Sequence, residues 1–126
     1  AVWAALIEKL CDAGAKVILG HHPHVLQGIE RYKGALIAYS LGNFVFGGNW
    51  NPADQDSMIL RIGLARTGVA SVKILPVKIS HPPTAFFQPY LLEGEERQSV
   101  FARLRDYSAS FEHTLPALRS KAVPIQ

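Results

Sequence analysis

The sequence holds a single cysteine, Cys11, among 126 residues. One thiol cannot build an internal disulfide framework, and it leaves the redox compartment open. No apolar run approaches the ~20 residues that a membrane-spanning helix requires. Consecutive basic residues are also missing. Thirteen Lys+Arg against ten Asp+Glu leave a net +3 that is spread along the chain. Charge therefore gives no support to a nucleic-acid partner or a polybasic membrane contact. The opening lacks a methionine and the n- and h-regions of a signal peptide. It runs from Ala1 straight into a helical pattern, so a fragment or processed piece of a longer protein is expected. Disorder is excluded by what is present: 48% hydrophobic residues and only 18% charged ones suffice for one core. The length suits one domain.

The apolar pairs Val2-Trp3, Leu6-Ile7 and Leu10-Cys11 recur at helical spacing, and Gly14 suits a helix end. They predict a helix over 2–13, with Trp3 in the core and Cys11 buried. Lys16 to Leu19 reads as a short buried strand ending at Gly20. Gln27–Tyr32 and Ala35–Ser40 are two extended runs around Lys33-Gly34, a tight hairpin turn. The stretch from Leu41 to Asn51 is rich in Gly and Asn and carries Phe44, Phe46 and Trp50. It is expected to be a loop, whose aromatics either pack or wall a site. Ser57–Ala65 and Val69–Ile79 alternate and predict a second hairpin. Arg61, Arg66, Lys73 and Lys78 form its solvated face, and Pro76 marks an edge or a bulge. A second helix is expected over 94–111, with Val100, Phe101, Leu104, Tyr107 and Phe111 as its stripe. Glu95 and Glu96 in its first turn suit the helix dipole. The tail 114–126 is expected to be loosely held. The order helix, strands, helix predicts an α+β fold, mostly antiparallel.

Chemistry concentrates in Gly20-His21-His22-Pro23-His24, directly after a strand. Strand ends that feed loops are favoured places for sites, and neutral imidazole is the commonest transition-metal ligand. In an extended segment, residues two apart share a side. His22 and His24 are thus expected to converge, stiffened by Pro23. Two ligands do not complete a catalytic zinc site, which takes three plus water. His81 and His113 lie far off and are set aside. Ser40 has no base beside it, so nucleophilic catalysis is not supported.

The segments Gly20-His21-His22-Pro23-His24-Val25, Gln27-Gly28 and Tyr39-Ser40-Leu41-Gly42-Asn43-Phe44 resemble the CapA-like poly-γ-glutamate capsule synthesis proteins. That family is a bacterial branch of the calcineurin-like metallophosphoesterase superfamily. Ala13-Gly14-Ala15 and Asp56-Ser57 fit the same pattern. The resemblance runs over about residues 1–80 and is specific over 13–46.

It implies a β-sandwich flanked by helices, with residues 1–126 as the C-terminal fragment of one metallophosphoesterase-like domain. It further implies a hydrolase site with two divalent metal ions, for which Mn, Zn and Fe are not distinguished. His22 and His24 would be the metal ligands. His21 either replaces His22 or acts as a catalytic acid–base group. Asn43 would line the site unless it serves the turn. Asp56 would contact substrate unless it caps its strand. The family's Asp-x-His, Gly-Asp and Gly-Asn-His motifs are absent from this chain and would lie upstream. The expected partners are therefore the upstream half of the same protein and an anionic polymer or phosphoester substrate. Dimerisation through an exposed sheet edge is also expected. The capsule association implies an extracytoplasmic or membrane-attached parent. The alternative is a non-catalytic accessory or anchoring factor for making or exporting an anionic polymer.

Overall fold

The computed structural model describes residues 2–119. Helix α1 (Val2–Asp12) leads into β1 (Val17–Leu19), β2 (Ile29–Tyr32) and β3 (Ala35–Ala38). The long hairpin β4 (Asp56–Ala65) and β5 (Gly68–Lys78) follows, then β6 (Tyr90–Leu91), α2 (Gly94–Ser108) and a 3-10 turn, Pro116–Leu118. The strands form two three-stranded sheets, ordered β1-β3-β2 and β4-β5-β6. All pairs are antiparallel except β1 with β3. This is the expected α+β fold, built on two hairpins with a helix at either end.

Local chemistry explains the hairpins. Lys33 and Gly34 both take positive φ, 48° and 84°. A two-residue turn of that hand matches the right-handed twist of the strands it joins. In β4, Met58, Leu60 and Ile62 face the core, as their alternation predicts. The register then shifts between Gly63 and Leu64, and Leu64 is 68% exposed. The extra residue is Ala70 of β5, so the alternation breaks in β5 there, while Leu64 lies at the turn end of the hairpin. Pro76 does not lie at that bulge; it sits where β5 passes from its short pairing with β6 to an edge that has no strand partner among the described residues. Its carbonyl accepts the Leu92 N–H, so its nitrogen also faces the β6 side. There β6 pairs only with Val77 and Lys78, and a missing donor costs little.

The core lies where the sheets and α2 meet. Ile29, Leu36, Ala38, Met58, Ile74, Val100, Phe101 and Leu104 are buried together. All four residues of β3 are buried. At α2 the stripe is Val100, Phe101 and Leu104. Tyr107 is exposed, and Phe111 lies beyond the helix, stacked on Tyr39 at 5.2 Å. Ser108 and Thr114 bind the N–H and C=O of Ile29, while the Arg31 N–H donates to His113 O. The outer edge of β2 is thereby closed. Leu115 and Leu118 are buried in the same core. Residues 114–119 are thus packed, although a loose tail was expected from 114, because two leucines three apart supply an anchor. Residues 120–126 of that tail lie outside the described residues, as does Ala1.

Three other expectations are corrected. No residue of α1 is buried, and Trp3 is 75% exposed. Helical spacing makes an apolar face but does not supply anything to cover it. Cys11 is likewise only half-buried. Strand β1 is half-buried, with Leu19 45% exposed, because it is the edge of its sheet. Among the described residues, no helix is long and apolar enough to cross a membrane.

Candidate functional site

The histidine segment leaves β1 at Gly20, whose N–H donates to Ala38 O at 2.7 Å. A Cβ at this position would lie 2.1 Å from Tyr39 O. Only glycine lets the chain pass this close to β3 before it turns outward. The next residues do not run extended. His22 and His24 have φ of 96° and 62°, a left-handed backbone that side-chain-bearing residues seldom adopt. Alternation along a strand is thus not what aligns the two imidazoles. A double bend around Pro23 brings their ring centroids to 5.8 Å at an interplanar angle of 53°.

A loop nineteen residues further on fixes one of the rings. His24 Nδ1 lies 2.8 Å from Asn43 Oδ1. An amide oxygen only accepts, so Nδ1 is the donor in this contact, and in the neutral ring the Nε2 lone pair is then the available one. Asn43 is itself buried. Phe46 packs on the same ring at a centroid distance of 4.6 Å. Of the loop aromatics, Phe46 therefore joins the histidines, whereas Trp50 meets Phe86 edge-on. The loop is tied to β4 by Ser57, whose hydroxyl donates to Leu41 O at 2.8 Å. His21, His22 and His24 all reach solvent. His21 makes no side-chain hydrogen bond among the described residues.

Asp56 is not brought to the histidines. Its carboxylate accepts from Lys78 Nζ at 2.7 Å and from Arg103 on α2. Arg103 also holds both oxygens of Asp54. Burial pushes the Asp54 carboxyl up. The Arg103 and Asp56 N–H hydrogen bonds and the charges of Arg103 and Lys78 outweigh it and hold the group below its ordinary value. Lys78, expected on a solvated face, is a member of this partly buried cluster. The sequence offered no signal for it, because Arg103 lies 47 residues from Asp56 and reads as an ordinary helix-surface residue. His81, set aside above, sits beside Tyr90 with Nδ1 3.2 Å from its hydroxyl.

Two imidazoles, one of them oriented by an amide oxygen, suit a divalent transition metal by donor type. Among the described residues, no three His, Cys, Asp or Glu converge on one point.

Residues 4–48 match the family model of the bacterial capsule synthesis protein PGA_cap. The chain is 45% identical over 75 residues to the capsule biosynthesis protein CapA of Bacillus anthracis, covering 60% of this chain and 18% of that protein. It is 45% identical over 74 residues to the PGA biosynthesis protein CapA of Bacillus subtilis, covering 59% and 19%. An uncharacterized protein of Sinorhizobium fredii is 52% identical over 52 residues, which is 41% of this chain and 11% of that protein. The chain therefore spans less than a fifth of the length of these curated relatives. The CapA-like resemblance carried by Gly20–Val25 and Tyr39–Phe44 is borne out.

Proposed function

We propose that this chain is part of a CapA-like protein that acts in making the poly-γ-glutamate capsule polymer, and that His22 and His24 contribute imidazoles to a metal centre of the metallophosphoesterase type. The capsule role is supported by the match of residues 4–48 and by the CapA relatives. The metal role rests on one observation, the pairing of the two rings at 5.8 Å with His24 oriented by Asn43.

Each residue has a defined task in this reading. Gly20 lets the segment turn away from β3. The bends at His22 and His24 bring the rings together. Asn43 accepts a hydrogen bond from His24 Nδ1, so that Nε2 is the free nitrogen of the neutral ring, while Phe46 packs on that ring. His21 would serve as the acid–base group in this reading. A divalent metal held by His22 and His24 together with ligands from elsewhere would supply Lewis acidity toward a phosphoryl or similar centre. The carboxylates that such a centre needs would come from outside this chain, since Asp54 and Asp56 are held by Arg103.

The test is metal uptake by the full-length protein, wild type against His22→Ala/His24→Ala, with Zn²⁺ or Mn²⁺ in a calorimeter. Reduced stoichiometry or affinity is expected in the variant. Equal values would refute the metal role and favour the accessory reading, in which the chain serves the polymer without catalysis.

A further inference from the structure

Between α2, the open edge of β5 and the segment that follows α2 lies a cavity of about 700 Å³. Arg31, Lys73, Arg97 and Arg119 line it together with His113, and no Asp or Glu does. Among the described residues, none of these four cations takes part in a salt bridge, although four other Lys/Arg–carboxylate contacts form elsewhere. Arg31 Nη1 is buried with no hydrogen-bond partner among the described residues. A buried guanidinium nitrogen without an acceptor is costly and rare in folded proteins. Arg97 packs over the Phe101 ring at 4.9 Å, which steadies its guanidinium at the wall.

The backbone adds a second kind of recognition. Strand β5 pairs with β6 only at Val77 and Lys78. Among the described residues, its edge over 69–75 has no strand partner on that side. The residues 69–74 line the cavity. An open edge presents N–H and C=O groups that an extended amide-bearing chain can pair with. Cations alone would suit any anion. Cations arrayed beside an unpaired strand edge favour an anion whose own backbone carries amides.

We propose that this cavity is a binding groove for an extended, amide-linked polycarboxylate chain, whose carboxylates are held by Arg31, Lys73, Arg97 and Arg119 and whose amides pair with the free edge of β5. The groove is built from residues that the histidine site does not use. Its assignment to a glutamate polymer rests on the capsule-polymer reading, while its charge and open edge do not.

The experiment measures binding of fluorescent poly-γ-glutamate oligomers to the full chain by anisotropy, at low and high salt. Poly-α-glutamate and polyphosphate of equal charge serve as competitors. Three proteins are compared: wild type, Lys73→Glu/Arg97→Glu, and Arg66→Glu as a control on the exposed β4–β5 turn outside the cavity. Circular dichroism verifies that each is folded. The double reversal should weaken binding by at least about tenfold, since each lost charge-assisted hydrogen bond is worth that much. Arg66→Glu should change it little, and salt should weaken it. Amide resonances of residues 69–75 should shift on titration. Competition by γ- or α-linked glutamate supports the groove, and the stronger competitor identifies the source. Polyphosphate outcompeting both, or a double variant that binds as wild type, would overturn the proposal. A full-length protein that restores capsule formation yet binds neither glutamate polymer would overturn the groove and leave the capsule role standing.

Discussion

His24 Nδ1 and Asn43 Oδ1 lie 2.8 Å apart, and this contact sets which nitrogen of the neutral ring carries the proton. Asn43→Ala should therefore release the ring to the other tautomer. Nitrogen chemical shifts of His24 should report Nδ1–H in the wild type and a mixture in the variant. In the full-length protein, metal affinity should fall by about 10- to 100-fold, as when such outer partners are lost. An unchanged tautomer would show that the contact does not orient the ring.

Gly20 is the second point of control. A methyl group there would meet Tyr39 O at 2.1 Å, and backbone cannot yield as a flexible side chain would. Gly20→Ala should cost about 1–3 kcal/mol through forced displacement. Urea unfolding measures it, and a loss below about 0.5 kcal/mol would mean that β1 and β3 separate freely at this end.

Arg103 carries a pH signature. Held below its ordinary value of 3.8 in the folded protein, the Asp54 carboxyl contributes stability that is fully present above 3.8. That contribution is lost as pH falls through the lower folded value. Arg103→Met removes the main stabilising hydrogen bonds and leaves burial to push the carboxyl up. Stability near neutral pH should fall by about 1–3 kcal/mol, and the acid loss that Asp54 carries should shrink or reverse, because a carboxyl no longer held below 3.8 adds no stability above that value. Urea midpoints between pH 2 and 7 for both proteins provide the comparison; parallel profiles would show that Asp54 does not depend on Arg103.

The two apolar faces of the helices should differ sharply. Leu104 on α2 is fully buried, and Leu104→Ala should cost about 2–5 kcal/mol. Trp3 on α1 is mostly exposed, and Trp3→Ser should change stability by less than about 0.5 kcal/mol. Thermal or urea unfolding of both variants reads the difference. A comparable loss for Trp3→Ser would mean that α1 is anchored more firmly than its exposure shows.

What the sequence determined by itself was local. Lys33-Gly34 dictated a turn, because two consecutive positive φ angles favour such residues there. Alternation in β4 and β5 and the Val100, Phe101, Leu104 spacing in α2 announced which faces would be buried, since side-chain direction follows backbone period. The histidine cluster was legible by residue type alone, three imidazoles within four residues, although left-handed bends and not alternation bring His22 and His24 together. Tertiary structure alone decided that α1 keeps a bare apolar face and that β1 is an edge. It also gave Asp56 to Arg103, placed Asn43 against His24, and gathered four cations around an open strand edge. Those outcomes depend on which distant segments meet, and periodicity along a chain does not encode the partner that fills the other side of a contact.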